Sequence, residues 1–173
     1  MGMKSTLKEI HSNKNQEIHT LSPNHLVSDA VEKMKSRNIG AVVIVGDDNN
    51  VAGIFSERDL LNRVVASGLD PKTTKISEVM TSDPICVTTS TTVEEAMRRV
   101  TEKQIRHLPL VSSDGKLQGL IANRDLTAWV VKTQVSEIDG LNQKVASAEA
   151  KNKAIVATVI GLGVLLAIYV LMN

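Results

Sequence analysis

Apolar positions along this chain alternate between two periods. Val27, Ala30, Val31 and Met34 recur at three- and four-residue spacing and predict an amphipathic helix to about Arg37. Ala41 to Val45 is a continuous run rich in β-branched residues, which reads as a strand buried on both faces. Gly46 to Asn50 is a hairpin turn, and Val51 to Phe55 returns as a second strand. A helix follows from Ser56 to about Ser67, and a short strand, Ile18 to Leu21, precedes the set behind Ser22-Pro23-Asn24. The predicted order is β-α-β-β-α. After a linker at 68–74 and a helical turn at 76–80, the order repeats. Ile85 to Val87 is a strand. Thr91 and Thr92, with Glu94 and Glu95 three residues on, offer a capping box for a helix to about Lys103. Leu108 to Val111 and Leu117 to Ile121 form the second hairpin, and the last helix starts near Asn123.

The repetition extends to individual residues. Gly53-Ile54-Phe55-Ser56-Glu57-Arg58-Asp59-Leu60 recurs as Gly119-Leu120-Ile121-Ala122-Asn123-Arg124-Asp125-Leu126, 66 residues later. Ala30 and Ala96, Ile39 and Ile105, and Val65 and Val131 keep the same interval, so no gap intervenes. A drift-free repeat of this length is one supersecondary unit used twice. The domains expected are a polar N-terminal arm (1–16), two repeats (17–67 and 83–131) around a linker (68–82), a helical stalk (132–153) and an apolar segment (154–172). In the stalk Val131, Ile138, Leu141, Val145 and Ala148 trace a loose seven-residue stripe, interrupted by Gly140. The final segment carries no charge over 19 residues and follows Lys151 and Lys153. It predicts a transmembrane helix and a tail-anchored, single-pass membrane protein with its N-terminal domain in the cytoplasm. Ala154, Ala157 and Gly161 share a face that permits close helix pairing, and a homodimer is expected.

Net charge is +1, which argues against a nucleic-acid partner. Aromatic residues are only 2%, so a ligand base would lie mostly between aliphatic side chains. Cys86 is the only cysteine and reads as a small buried hydrophobe; no intrachain disulfide can form. Four histidines and one cysteine show no metal-binding spacing, and no nucleotide-hydrolase, zinc-protease or serine-hydrolase motif occurs, so no catalytic or metal site is expected. Met1 to Thr6 matches a myristoylation pattern, against which stands an ordinary polar N-terminus.

Chemistry concentrates where each second hairpin strand turns into a helix. Ser56 stands at the cap position, where free N–H groups suit an anion. Arg58 suits phosphate, and the carboxylate of Asp59 suits the vicinal hydroxyls of a ribose. Ser-x-x-Asp is also an ordinary capping pattern. In the second copy Ala122 replaces the hydroxyl while Arg124 and Asp125 remain, and this retention favours a ligand role over capping alone.

With Asn38 to Val43, the two strand–helix junctions, Ile76 to Thr81 and Ile105 to Leu110, the stretch from about Ile18 to Val131 resembles a tandem pair of cystathionine-β-synthase-type (CBS) domains, the Bateman module. The resemblance implies an α/β (α+β) fold in which two units pack through their sheets about a pseudo-twofold axis. It implies two clefts that bind an adenosine nucleotide such as AMP, ADP or ATP as a regulatory ligand, with no cofactor required. Asp59 and Asp125 would hold ribose, with Ser56 beside it. Ile39, Gly40, Ile85, Val87 and Pro109 would surround the base, and Arg58, Arg106, His107 and Arg124 the phosphates. Ala122 departs from the pattern and weakens the site on Asp125. The function implied is a sensor that signals metabolite state to an effector protein. NAD or S-adenosylmethionine as ligand, a ligand-free adaptor and an enzyme are the alternatives.

Overall fold

The computed structural model describes residues 5–13, 17–46 and 48–172, with side chains through Val164. The chain divides into two compact units, Met1–Thr127 and Ala128–Asn173. In order, the elements are α1 (Leu7–Ser12), β1 (Thr20–Leu21), α2 (Val27–Arg37), β2 (Ala41–Val45), β3 (Val51–Ser56), α3 (Glu57–Asp59), α4 (Ile76–Val79), β4 (Thr81–Ser82), α5 (Val93–Glu102), β5 (His107–Val111), β6 (Leu117–Ala122) and α6 (Asn123–Met172). A π-helical segment, Leu60–Val65, continues α3.

Among the described residues the strands form a sheet of order β1-β2-β3-β4 and a β5-β6 hairpin. β1 runs parallel to β2, and the other pairs are antiparallel. The two hairpins match in detail. Each slips register once, between Ile44 and Val45 in the first and Leu110 and Val111 in the second, again 66 residues apart. The strand expected at Ile85–Val87 is reduced to one parallel bridge from Val87 to Leu110. β4 was not legible in the sequence. Its pairing with β3 relies on Gly53, where a Cβ would stand 3.0 Å from the Thr81 carbonyl oxygen and 2.6 Å from Met80 Sδ.

The apolar face of α2 (Val27, Ala30, Met34) packs with Val42, Ile44 and Phe55 of the sheet and with Val64, Ile76 and Val79. Burial of these side chains supplies the main driving force for this half, at about 25 cal/mol per Å² of apolar surface removed from water. Both α2 and α5 stop by one device. Asn38 and Gln104 take left-handed conformations (φ 52° each), and the next N–H reaches back to the helix: Ile39 to Met34 at 3.0 Å, Ile105 to Val100 at 3.1 Å. This Schellman ending turns the chain sharply and drops an isoleucine against the helix it has left.

Two expectations are corrected here. The N-terminal arm, expected as a loose arm or a frayed helix, carries a packed helix in its described part. α1 buries Leu7 and Ile10, and Leu7 and Lys8 donate to the carbonyls of Thr91 and Thr89 at 2.9 and 3.0 Å. The same role falls to α4 in the other repeat, where Ile76 and Ser77 donate to His25 and Pro23, so α1 belongs to the second repeat as α4 does to the first. The first four residues of the myristoylation pattern lie outside the described residues. The second correction concerns the membrane. Among the described residues no helix is long and apolar enough to cross one. The apolar run with described side chains is Ala154–Val164, about 16 Å at 1.5 Å per residue, roughly half a hydrocarbon thickness. The rest of the expected span lies outside the residues whose side chains are described. The transmembrane helix, the tail anchor and the single-pass, cytoplasm-facing localisation built on them are therefore withdrawn.

Candidate functional site

Two clefts open where the repeats meet in Met1–Thr127. The first, of about 270 Å³, is lined among others by Ile54, Ser56, Arg58, Asp59, Ile85 and Arg106, with Gly40, Glu57, Thr81, Asp83, Pro84, Ile105 and His107 completing the wall. The second, of about 50 Å³, is lined by Ile39, His107, Leu120, Ala122 and Arg124, together with His11, Glu17, His19 and Gly119. His11 arrives on α1, and its Nδ1 lies 3.1 Å from where a Cβ on Gly119 would be, as Met80 Sδ lies 2.6 Å from that of Gly53 in the first repeat. The first cleft approaches the size of a small-ligand cavity, about 300–1,000 Å³; the second is smaller, but it shares Ile39, Gly40, His107, Ala122 and Arg124 with a wider groove.

The first cleft is built by local rules. β3 ends at Ser56, whose extended backbone (φ −126°, ψ 168°) makes it the cap of α3. Asp59, three residues on, is buried and turned back into the cap. Its Oδ2 accepts the Ser56 N–H at 3.0 Å and the Ser56 hydroxyl at 2.6 Å. Its Oδ1 accepts the Thr81 hydroxyl at 3.2 Å and faces Arg63 Nε at 3.5 Å. A carboxylate offers about four acceptor sites; three take hydrogen bonds from within the chain, and the Arg63 guanidinium stands beside Oδ1 as an ion pair. Across the cleft Arg58 Nη1 donates to the Gln104 carbonyl at 2.9 Å, joining the first repeat to the second and leaving further guanidinium donors for an anion. Ile54, Ile85 and Ile105 supply an apolar wall, the last placed by the Schellman turn.

In the second copy Asp125 Oδ2 accepts the Ala122 N–H at 2.8 Å, as Asp59 does from Ser56. Retention of the aspartate therefore has a structural reason, because the bond that caps the helix runs from carboxylate to backbone and needs no side chain at the cap. Retention of Asp125 does not by itself mark a ligand site.

Of the residues singled out in the sequence, the first cleft brings together Gly40, Ser56, Arg58, Asp59, Ile85, Arg106 and His107. Ile39 and Arg124 line the second, and His107 stands between the two. A wider groove of about 740 Å³ brings Arg106, His107 and Arg124 along one wall. Val87 and Pro109 line neither cleft; both are buried, and the Val87 N–H donates to the Pro109 carbonyl at 3.0 Å, which makes them core. Asp125 lines neither cleft. Thr81 and Asp83 were missed. The 66-residue interval was the available signal, since it sets Asp83 opposite Glu17 at the mouth of the other cleft. Among the described residues no group of three or more His, Cys, Asp and Glu side chains could hold a metal ion. Cys86 is half-buried and donates to the Pro84 carbonyl at 3.3 Å, and burial pushes its thiol pKa above the ordinary value.

Two homologous strand–helix units sharing clefts at their seam define the class, and the chain belongs to the CBS domain family, whose model matches residues 7–66 and 76–132. The mitochondrial CBS domain-containing protein CBSX3 of Arabidopsis thaliana is 37% identical over 120 residues, 67% of this chain and 58% of that relative. This chain thus spans less than two thirds of that relative's length. Among solved structures, a Burkholderia ambifaria protein with CBS domains superposes with a TM-score of 0.70 at 36% identity, covering 75% of this chain and 96% of that one. The structure of CBSX2 in complex with AMP, a CBS-pair protein of Arabidopsis thaliana, gives 0.64 at 27%, covering 75% and 98%.

Proposed function

We propose that this chain is a regulatory module that binds an adenine nucleotide in the first cleft and passes the bound state to a partner protein. The observation that carries the reading is one cavity with an aliphatic wall (Ile54, Ile85, Ile105), a hydroxyl–carboxylate cluster (Ser56, Asp59, Thr81) and two arginines (Arg58, Arg106). These are the chemistries of base, ribose and phosphate in the same order. The similar CBSX2 with bound AMP supports the choice of ligand. Because three of about four acceptor sites on Asp59 are already engaged, a ribose diol that takes two bonds from it displaces the Ser56 or Thr81 hydroxyl. The exchange trades one hydroxyl donor for another, so much of the affinity comes from the base and the phosphate. Binding ties both repeats together and favours whichever packing binds more tightly.

The internal hydrogen bonds of Asp59 favour a second reading, a ligand-free interaction module that uses the repeats as a surface. Calorimetry on the full chain with AMP, ATP, NAD and adenosine separates the two. Binding of AMP that weakens about tenfold or more in Arg106→Ala, with adenosine unaffected, supports the sensor. No heat with any nucleotide at millimolar concentration supports the ligand-free module.

A further inference from the structure

Unit Ala128–Asn173 carries a feature that the cleft does not use. Along α6 the residues at every seventh position are Val131, Ile138, Val145, Asn152 and Val159, and those three further on are Gln134, Leu141, Ala148, Ile155 and Leu162. Val131, Ile138, Leu141, Val145, Ile155, Val159 and Leu162 are each more than half exposed. Gly140 interrupts the stretch as a weak helix former but occupies neither series, and a Cβ there would meet nothing. We infer that α6 pairs with α6 of a second copy of this chain, as a parallel, in-register two-stranded coiled coil over Val131 to Leu162.

Three independent features select that occupant. Every residue of the first series except Asn152 is β-branched, and the second contains Leu141 and Leu162; this division favours two parallel strands. Asn152 places an amide in an otherwise apolar seam. In a parallel, in-register pair it faces the amide of the other copy, whereas antiparallel pairing sets it against residues of the other series, of which only Gln134 is polar. Charge agrees with the same register. Lys144 flanks the seam on one side and Glu149 on the other, five residues on, which is the separation that brings opposite flanks of two parallel helices together. Beyond Ala154 apolar residues cover the other faces too, so the choice of register rests on the part from Val131 to Asn152. The stripe spans 32 residues, about 48 Å of helix, long enough to pair although Gln134 and Ala148 weaken two of its layers.

Sedimentation equilibrium of the full chain should show a dimer. Ile138→Asp with Val145→Asp should raise its dissociation constant by about tenfold or more and leave the unfolding of the repeats unchanged. Lys144→Glu should weaken the dimer, and adding Glu149→Lys should restore it. In a Cys86→Ser background, Leu141→Cys should form a disulfide between copies on mild oxidation. A monomer at all concentrations overturns the inference. So does a dimer unmoved by the two aspartates, which would place assembly on another face. A dimer without the Leu141→Cys cross-link overturns the parallel register. Each outcome is independent of whether the cleft binds a nucleotide.

Discussion

Removing the Asp59 carboxylate should destabilise the protein before any ligand is considered. In Asp59→Ala the Ser56 N–H loses its capping acceptor, worth about 1 kcal/mol. The Ser56 and Thr81 hydroxyls lose a charged acceptor but can turn toward water or other oxygens in the cleft, so together they add about 1 kcal/mol. Arg63 is 46% exposed and 3.5 Å from the carboxylate, and screening by solvent limits its share to about 0.3 kcal/mol. The total is near 2 kcal/mol, which for a folded unit of this size lowers Tm by roughly 6–8 °C. Asp59→Asn keeps one acceptor oxygen and should lose about half as much. Thermal unfolding by circular dichroism without nucleotide measures both. A fall of less than about 2 °C in Asp59→Ala would refute the capping account and return Asp59 to a role in ligand binding alone.

Other perturbations test neighbouring parts of the same construction. Gly53→Ala should cost roughly 1–3 kcal/mol in urea unfolding, because its Cβ meets the Thr81 backbone and must push β4 away; an unchanged midpoint would mean that β4 moves freely. Gln104→Gly should stabilise by about 0.5 kcal/mol through relief of the left-handed backbone, while Arg58 keeps its bond, since that bond is to the carbonyl. Cys86 should alkylate more slowly than a free thiol at pH 8, since burial favours its protonated form. The associated stabilisation is full below the thiol's unfolded pKa and fades as pH rises through the higher folded value, so Cys86→Ser should flatten the alkaline limb of the stability profile.

Much of the first unit was legible because its signals are local. The β-branched run at 41–45, the three-four spacing from Val27 to Met34 and the Thr92 cap each specify an element without reference to distant residues. The Thr92 hydroxyl accepts the Glu95 N–H at 3.1 Å as the capping pattern requires. Ser56, Arg58, Asp59, Ile85, Arg106 and His107, which line one cleft, stand out in the sequence for a different reason. The repeat interval marked which residues to compare, and family resemblance supplied their chemistry. Val87 and Pro109 were misplaced because an apolar strand residue beside a cleft and one a single position into the core look alike in sequence; the direction of the side chain decides, and pairing sets that direction.

By itself, the sequence determined the element order, the doubling of the strand–helix junction and the heptad stripe of α6, all carried by short-range spacing. Only tertiary structure decided three further points. α1 docks on the second repeat, because its buried face, Leu7 and Ile10, is too short to register as a pattern. The two clefts are lined differently, because α1 carries His11 into the second while the first is lined by Thr81, Asp83 and Pro84, which follow α4. Asp59 is held on both oxygens, because the hydroxyl of Thr81 and the guanidinium of Arg63 come to Oδ1 from elements that meet it only after folding. Spacing along a chain fixes which residues can share a helix or a strand; which of them share a cavity depends on contacts between elements, and those leave no period to read.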